Sequence, residues 1–479
     1  MESIWTKTCS IPKRESLRKD METEIAVIGA GMAGILIAYQ LQKAGKKVII
    51  LEGNRIASGQ TRNTTAKITS QHGLKYADLI SAIGKEKARQ YAMASQTAIE
   101  EYRRIIQEEK IYCDFEETCA YVYSTDKDRL MKETEAAASV GLPASFQSHA
   151  DLPFGRSFAM RFDEQAQFHP LKFIKHLSEQ LEIYEKTPVL TIDEHAIKTP
   201  NAIIKAEYIV FATHYPFINF PGMYFTRQHQ ERSYVLALEN TPMADGMFIG
   251  DGETSYSFRT YDKYLLFGGE GHRTGDNRDG GKYEALRQKS KELFPDSLEV
   301  AHWSAQDCMP ADGIPFIGQY SAGKPFLYVA TGFQKWGMTT SMVAAMIIRD
   351  MICGKENPYA EVFDPQRFST EMLSGIAYEM KEATKTLTKR FFKLPEATVN
   401  ELPPGHGGVV SVNGEKIGVY KEENGTLHMV DIRCPHLGCQ LEWNPDEKSW
   451  DCPCHGSRFD FKGHIINNPA QDDIVLSEK

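Results

Sequence analysis

The sequence is poor in the features that mark membrane, secreted and nucleic-acid-binding proteins. Its best candidate for a membrane span, MTTSMVAAMIIRDMI, is interrupted by Arg349 and Asp350, and no apolar run is long enough to cross a bilayer. The first twenty residues are polar, contain no apolar signal core and predict a loose arm. A net charge of −9 gives no electrostatic reason to expect nucleic acid as a partner. We therefore expect a cytoplasmic protein without a transmembrane segment.

Cysteine is also scarce, and it is unevenly distributed. The chain has nine cysteines in 479 residues, and four of them lie with two histidines between Cys434 and His455. Because cytoplasmic thiols are kept reduced, a metal or redox site is favoured there over a disulfide framework. The remaining cysteines are scattered, and we interpret them as ordinary thiols: Cys9, Cys113, Cys119, Cys308 and Cys353.

The length of the chain exceeds that of one compact core, and its pattern divides it into units. Strand, glycine turn and helix alternate in the first unit, and short apolar runs after about residue 216 indicate an inserted antiparallel sheet. The tail is rich in glycine, valine and turn signals, which is typical of a small all-β domain. We predict an α/β unit over 22–360, with α/β segments at about 22–215 and 305–355 around an inserted antiparallel sheet at about 216–304, then a helical connector over 361–394 and an all-β domain over 395–479.

The stretch EIAVIGAGMAGILIAYQLQKAGKKVIILEG carries a dinucleotide-binding fingerprint. Gly29 would form the tight turn after the strand, Gly31 would let a pyrophosphate approach the helix N-terminus, and Gly34 would let the helix pack on the strand. Glu52 ends the second strand, where a carboxylate can bind the ribose hydroxyls. Because the whole strand–turn–helix–strand context is present, we predict a bound dinucleotide rather than an empty glycine turn.

Two later strands favour a flavin over a nicotinamide dinucleotide. AEYIVFATHYP ends a strand near Thr213, and LYVATGFQKWGMTTSMVAAMI adds a second glycine turn and helix start. This arrangement resembles FAD-dependent oxidoreductases of the D-amino-acid oxidase and glycine oxidase type over about 22–355. The resemblance implies an α/β Rossmann-like FAD domain with an inserted antiparallel substrate sheet. Besides the fingerprint, it implies FAD contacts at Met32, Gly59, Thr64, Thr65, Ala66, Val189, Thr213, Gly332, Gly337, Met338 and Thr339.

Residues that bind the substrate are expected on the inserted sheet, because the flavin does much of the chemistry and the protein orients the substrate. The candidates are Arg259 in SFRTYD, Tyr234 in RSYVLAL and His272 in GGEGHR. Arg259 could hold a substrate carboxylate through two parallel hydrogen bonds. His169 in QFHP and Trp336 beside the flavin motif are further candidates. For each of them, an ordinary structural role is the alternative.

Near the end of the chain, RCPHLGC and DCPCHGS place six potential metal ligands on two loops around an expected hairpin. Two disulfides would leave both histidines unexplained, and a tetrahedral zinc site would leave two cysteines idle. A Rieske [2Fe–2S] cluster takes two thiolates on one iron and two imidazoles on the other. Cys434 with Cys452 and His436 with His455 meet this requirement, with one ligand of each kind on each loop.

The tail resembles Rieske proteins of the cytochrome bc type over about 395–479. That type carries an additional disulfide, which the resemblance assigns to Cys439 and Cys454, and NPAQDDI resembles the proline loop that covers the cluster. Ser457 stands where the family's serine donates to a bridging sulfide, whereas Phe459 replaces a tyrosine that often donates to a cysteine sulfur. Because such hydrogen bonds help to set the potential, we expect a value in the middle of the roughly −150 to +300 mV Rieske range.

The whole chain resembles bacterial FAD-dependent oxidoreductases with a C-terminal Rieske domain. A flavin takes up two electrons and a Rieske cluster takes up one, so such a chain can divide a two-electron reaction into single-electron steps. We expect an enzyme that oxidises or reduces a small amine or amino-acid-like substrate at FAD, with a ferredoxin-like or other redox protein as partner. The alternative is a redox sensor or electron carrier that exchanges electrons with a protein partner without metabolite turnover.

Overall fold

The computed structural model describes residues 2–252, 256–367, 370–392, 398–412 and 414–476. Its helices are α1 (Ile4–Thr8), α2 (Met32–Lys43), α3 (Tyr76–Ile83), α4 (Lys85–Glu108), α5 (Lys127–Ser139), α6 (Pro170–Ser178), α7 (Lys282–Leu293), α8 (Gly337–Ile352), α9 (Ala360–Phe363) and α10 (Thr370–Phe392). Its strands are β1 (Met21–Ile28), β2 (Val48–Leu51), β3 (Lys67–Ile68), β4 (Glu116–Ser124), β5 (Ala144–Leu152), β6 (Gly155–Gln167), β7 (Glu182–Tyr184), β8 (Thr191–Asp193), β9 (Ala196–Lys198), β10 (Ile203–Phe211), β11 (Gln228–Glu239), β12 (Met247–Gly250), β13 (Ser257–Tyr261), β14 (Tyr264–Arg273), β15 (Leu298–Pro310), β16 (Phe316–Gln319), β17 (Leu327–Thr331), β18 (Gly407–Val412), β19 (Glu415–Lys421), β20 (Leu427–Val430), β21 (Glu442–Asn444), β22 (Ser449–Asp451), β23 (Arg458–Asp460) and β24 (Ile465–Asn467).

A mostly parallel sheet carries the dinucleotide fingerprint. Its strands follow the order β16-β17-β10-β1-β2-β7, with β16 antiparallel to β17 and the short pair β8–β9 attached to β10. β2 and β17 are buried throughout, as expected of strands in a sheet covered on both faces. α2 follows β1 and α8 follows β17, and the two helices pack on each other. Because the carboxyl ends of parallel strands meet at one edge of a sheet, the two glycine turns come together there.

A second sheet is wider than the predicted insert. Its strands follow the order β15-β11-β14-β13-β12-β4-β6-β3, with β5 paired to β6. The range 216–304 supplies β11 to β14 and the start of β15, whereas β3 to β6 come from earlier in the chain. β12 pairs in parallel with β4, which joins the two groups of strands. No local pattern signals such a long-range pairing, and helices α3 to α5 interrupt the earlier strands.

The C-terminal domain is all-β, as predicted. β18 to β20 form one antiparallel sheet and β21 to β24 form another. The expected hairpin between the two cysteine–histidine loops is β21 and β22. The connector is helical in α9 and α10, and the predicted boundary at 395, together with residues 477–479, lies outside the described residues.

The N-terminal arm is not loose, so that prediction is wrong. Trp5 in α1 is fully buried, and its indole Nε1 donates to the carbonyl oxygen of Thr64 at 2.6 Å. Leu17 is also buried. A few apolar residues in a polar stretch give no helix or strand periodicity that sequence reasoning could detect. Burying them is nevertheless enough to hold the arm on the domain. No helix in the described part of the chain is long and apolar enough to span a membrane.

Candidate flavin cavity and iron–sulfur site

The glycine fingerprint folds into a turn that has no room for side chains. Gly29 has a φ of +103°, and a Cβ atom there would lie 2.6 Å from the carbonyl oxygen of Ala212. A Cβ atom on Gly34 would lie 1.9 Å from the carbonyl oxygen of Gly29, so glycine is needed for α2 to pack this closely. The residue before α2 is Gly31, which has no side chain to cap the helix, and the Met32 amide donates to the Thr61 hydroxyl at 2.9 Å. Because Gly31, Met32 and Ala33 line the cavity, the helix N-terminus faces it.

The carboxylate of Glu52 lies beside this turn, at the C-terminal end of β2. It accepts hydrogen bonds from the backbone amides of Ala30, at 2.8 Å, and Asn54, at 2.7 Å. Burial raises the pKa of Glu52, and the two amides oppose this effect. The carboxylate is therefore held on the cavity wall, where the fingerprint places the ribose of a dinucleotide.

The fingerprint opens into a cavity of about 510 Å³. Of the predicted FAD contacts, those on its wall are Gly29, Gly31, Met32, Glu52, Gly59, Thr64, Val189, Thr213, Gly337 and Met338. The wall thus combines the N-termini of α2 and α8 with the Glu52 carboxylate, and the fingerprint helix N-terminus and carboxylate are the parts that bind a dinucleotide.

The remaining predicted FAD contacts are not among the described residues that line this cavity: Gly34, Thr65, Ala66, Gly332 and Thr339. Two of them support the wall from behind. The Thr339 hydroxyl donates to the carbonyl oxygen of Thr69 and accepts from its amide, both at 2.9 Å. Gly332 has a φ of +75°, and a Cβ atom there would lie 2.6 Å from the Pro310 ring. Any role of these residues towards FAD stays a prediction.

The candidate Arg259 is buried inside the fold. Its guanidinium donates to the carbonyl oxygens of Thr65, at 2.5 Å, and Phe168, at 3.2 Å, and it lies 5.4 Å from the ring of Trp5. Burial lowers the pKa of Arg259 to about 9. Arg259 is not among the described residues that line the cavity. Its donors bond two backbone carbonyls, and its cation–π contact with Trp5 reaches the N-terminal arm.

The candidates Tyr234 and His272 lie together, but away from the described cavity wall. The Tyr234 hydroxyl is 3.0 Å from His272 Nε2, and it accepts from the Asn277 side chain at 3.2 Å. The same Asn277 amide contacts Asn444 in the C-terminal domain at 3.2 Å. This pair therefore lies next to the contact between domains.

The weaker candidates His169 and Trp336 also have structural contacts. His169 Nδ1 accepts a hydrogen bond from the backbone amide of Lys172 at the start of α6. The Trp336 ring stacks on the His72 ring, with 4.8 Å between the ring centroids. Burial lowers the pKa of His169 to about 4. A catalytic role for either residue stays a prediction.

Several cavity residues were missed from the sequence: Ala305, Asp307, Gln334 and Lys335. Asp307 on β15 lies directly opposite Glu231 on β11, and Lys335 Nζ is 3.5 Å from the Glu231 carboxylate. Burial raises the pKa of Asp307 to about 7. No local motif marks Ala305 and Asp307, because the pairing of β11 with β15 brings them to the cavity. Gln334 and Lys335 lie just before α8, within the flavin-motif stretch LYVATGFQKWGMTTSMVAAMI.

The two cysteine–histidine loops converge on one point. The Nδ1 atoms of His436 and His455 lie 3.2 Å apart. The Cys434 and Cys452 side chains are hydrogen-bonded to each other, which lowers the pKa of Cys434. Burial lowers the pKa of His436 to about 4 and that of His455 to about 3, so both rings are neutral at pH 7. Two thiols and two neutral imidazoles are therefore brought together, as a Rieske cluster requires.

The second cysteine pair joins the two loops. Cys439 and Cys454 form a disulfide with a Cα–Cα distance of 6.6 Å. The sulfurs of Cys439, Cys452 and Cys454 lie within 4.8 Å of one another, but the disulfide leaves only Cys452 of these three free to bind a metal. In the predicted proline loop, the Ala470 amide donates to the Ser457 hydroxyl at 3.0 Å.

The histidine side of this site faces the first domain. His436 Nε2 lies 2.7 Å from Asn219 Oδ1, and the Phe225 ring centroid lies 5.9 Å from that of His455. The Asn468 side chain donates to the carbonyl oxygens of Thr213, at 3.0 Å, and Tyr215, at 2.6 Å. Residues 465–468, 470 and 471 also line the flavin cavity. The C-terminal domain therefore forms part of the cavity wall.

Two family models match this chain, one for each site. The model for FAD-dependent oxidoreductases matches residues 24–351, which is more than half of the chain. This chain belongs to the FAD-dependent oxidoreductase family. The model for the Rieske [2Fe–2S] domain matches residues 393–476, so the oxidoreductase carries a Rieske domain at its C-terminal end.

Individual relatives agree with both assignments. YhfW of Bacillus subtilis (strain 168), whose name describes a Rieske 2Fe–2S iron–sulfur protein, is 36% identical over 489 residues, covering 98% of this chain and 96% of that protein. Cytochrome b6-f complex iron–sulfur subunit 2 of Nostoc sp. (strain PCC 7120) is 39% identical over 122 residues, covering 25% of this chain and 64% of that protein. Glycine oxidase from Geobacillus kaustophilus has the same fold, with a TM-score of 0.61 and 18% identity over 72% of this chain and 99% of that one.

The cofactors of this oxidoreductase are therefore FAD and one Rieske [2Fe–2S] cluster, and the residues present fit both. Gly31 and Glu52 would receive the pyrophosphate and ribose of FAD. Cys434 and Cys452 would bind one iron and the Nδ1 atoms of His436 and His455 the other.

A buried ion network holds the Rieske domain on the oxidoreductase domain. Arg232 on β11 pairs with Glu447 at 2.9 Å, and Glu447 pairs with Arg458 at 3.1 Å. Arg458 also pairs with Asp451 at 2.9 Å. Although burial opposes the charge, Arg232 and Arg458 keep the pKa of Glu447 below its usual range. Removing one partner of such a buried pair leaves the other charge uncompensated.

Proposed function

We propose that this protein oxidises a small amine or amino-acid-like substrate at FAD and passes the electrons one at a time through its Rieske cluster to a redox protein. The observation that carries the proposal is the shared wall: residues 465–468, 470 and 471 of the Rieske domain line the flavin cavity. FAD supplies two-electron chemistry and the cluster supplies one-electron chemistry.

The residues of the chain would bind and orient rather than react. Gly31 and Glu52 would fix the dinucleotide end of FAD. Asp307, opposite Glu231 and near Lys335, offers a polar site on the cavity wall for an amine group. Asn219 and Phe225 would hold the histidine side of the cluster site against the oxidoreductase domain.

Anaerobic mixing of the purified holoprotein with candidate donors tests this proposal. Amines, amino acids and pyridine nucleotides are added in turn, while flavin and cluster absorbance are followed separately. We expect an amine or amino acid to bleach the flavin first and the cluster second. Flavin bleaching by no small molecule, together with rapid exchange of electrons with a ferredoxin, would refute the enzyme and favour an electron carrier.

A further inference from the structure

A single strand, β15, separates the flavin cavity from the second cluster loop. Ala305 and Asp307 line the cavity. Because successive side chains of a strand point to opposite faces, Gln306 points towards the Rieske domain. Its Nε2 donates to the carbonyl oxygen of Gly456 at 2.8 Å. The cavity and the loop that carries His455 therefore lie on the two faces of one strand.

Gln230 on the neighbouring strand β11 makes a second contact with this loop. Its Nε2 donates to the carbonyl oxygen of His455 at 2.6 Å, and its Oε1 accepts from Gln306 Nε2 at 2.6 Å. Gly456 permits this approach, because its φ is +79° and a Cβ atom there would lie 2.7 Å from the Gln230 Cβ. The loop that carries His455 and Gly456 therefore packs directly against Gln230 and Gln306.

The two amides form a closed, buried network. Gln306 is 0% exposed and Gln230 is 1% exposed. Gln306 Oε1 accepts from Arg232 at 3.0 Å, and Gln230 Oε1 lies 3.2 Å from His214 Nε2. Every polar atom of both side chains has a partner, and a buried network in this state is rigid.

The network also reaches the cavity itself. The Gln306 backbone amide donates to the side-chain oxygen of Gln60 at 2.7 Å, and Gln60 is on the cavity wall. A continuous path of covalent and hydrogen bonds therefore runs from the His455 loop through Gln230 and Gln306 to the cavity.

We propose that Gln306 and Gln230 are positioning residues that couple the flavin electronically to the Rieske cluster. This inference rests on the proposed function. In each step one electron leaves the reduced flavin and reduces the cluster by one electron, and a proton released by the flavin passes to water. No other covalent bond forms or breaks, and no co-reactant is needed until a redox protein reoxidises the cluster.

Flash reduction of the flavin in the holoprotein, with a sacrificial donor and no substrate, tests this path. Cluster absorbance then reports the arrival of the electron. We expect Gln306→Leu to slow this arrival several-fold, and the double variant with Gln230→Leu to slow it further. The matched control is Asn277→Leu, which removes an amide from the same interface at Asn444 and should leave the rate unchanged.

Two further measurements distinguish a loss of electronic coupling between flavin and cluster from a loss of Rieske-domain docking. The EPR spectrum of the dithionite-reduced cluster reports whether the ligands are intact, and small-angle X-ray scattering reports whether the Rieske domain stays docked. We expect both to match the wild type in Gln306→Leu. An unchanged rate, or a slower rate that accompanies an undocked domain, would overturn the assignment of the path. A wild-type protein in which no electron reaches the cluster would overturn the proposed function as well.

Discussion

The iron–sulfur site and the flavin cavity are assembled in opposite ways. All four predicted cluster ligands lie between Cys434 and His455, on two loops joined by one hairpin. The described cavity wall draws on chain from Ile28 to Gln471, and it includes both domains. A site built from adjacent loops depends mainly on its own ligands, whereas a site built from distant segments depends on how those segments dock. The two sites should therefore respond differently to substitution.

The largest effect is expected where the local site loses a ligand. Cys452→Ser should abolish the cluster, because serine cannot replace a buried thiolate on iron. FAD should stay bound, since its predicted contacts are on other segments. Loss of the cluster is measured by the iron and acid-labile sulfide content of the purified protein, and retention of FAD by its flavin content. Cys353→Ser is the control. Loss of flavin in step with iron would contradict this independence of the two sites.

The next largest effect is expected at the ion network between the domains. Glu447→Gln should lower stability by about 3–5 kcal/mol at pH 7, because it leaves Arg232 and Arg458 without their shared carboxylate. Chemical unfolding measures the loss, and the exposed Glu423→Gln serves as the control.

The same variant gives a pH dependence with a defined sign. The pKa of Glu447 is lower in the folded protein than its usual value of 4.5, so its contribution is complete above about pH 4.5 and is lost as the pH falls through the folded pKa. The difference between wild type and Glu447→Gln should therefore shrink as the pH is lowered below 4.5. A difference that grows in acid would contradict this account.

A smaller effect is expected where the Rieske domain closes the cavity. Asn468→Ala removes two hydrogen bonds to the carbonyl oxygens of Thr213 and Tyr215, which should cost about 1–2 kcal/mol. Because this segment lines the cavity, FAD should bind about 5–30-fold more weakly. Titration of FAD into flavin-free protein measures the change, and Asn424→Ala in an exposed turn is the control. Equal affinity in both variants would mean that docking does not support the cavity.

The smallest effect is expected on the reduction potential of the cluster. Phe459 is fully buried among the residues that surround the cluster site. Phe459→Tyr should raise the reduction potential, because a hydroxyl donor to a cysteine sulfur stabilises the reduced cluster. Redox titration measures the shift, with Phe461→Tyr two residues along the chain as the control. No upward shift would refute the expectation of a mid-range potential.

The parts that sequence reasoning predicted well are local ones. The glycine fingerprint with Glu52, the hairpin between the cluster loops and the Cys439–Cys454 pair all depend on residues that are close in sequence. The α/β unit and the all-β tail also follow from local periodicity. In the structure, the α/β unit and the all-β tail have the secondary structure that their sequence patterns predict.

The parts that sequence reasoning missed depend on distant pairing. Asp307 reaches the cavity and Gln306 reaches the Rieske domain only because β15 pairs with β11, and neither residue belongs to a motif. Arg259 has the chemistry of a carboxylate binder, but its donors are taken by backbone carbonyls from other parts of the chain. Residue type alone does not show whether a side chain is free to bind a ligand.

The covered histidine side has a consequence for biogenesis. Cys434 and Cys452 are each 1% exposed, and Asn219 and Phe225 of the oxidoreductase domain lie against the histidines. Docking of the domains therefore restricts the access of an iron and sulfide donor to the histidine side of the site. We therefore expect the Rieske domain to receive its cluster first and to close against the flavoprotein afterwards, so that maturation has a fixed order.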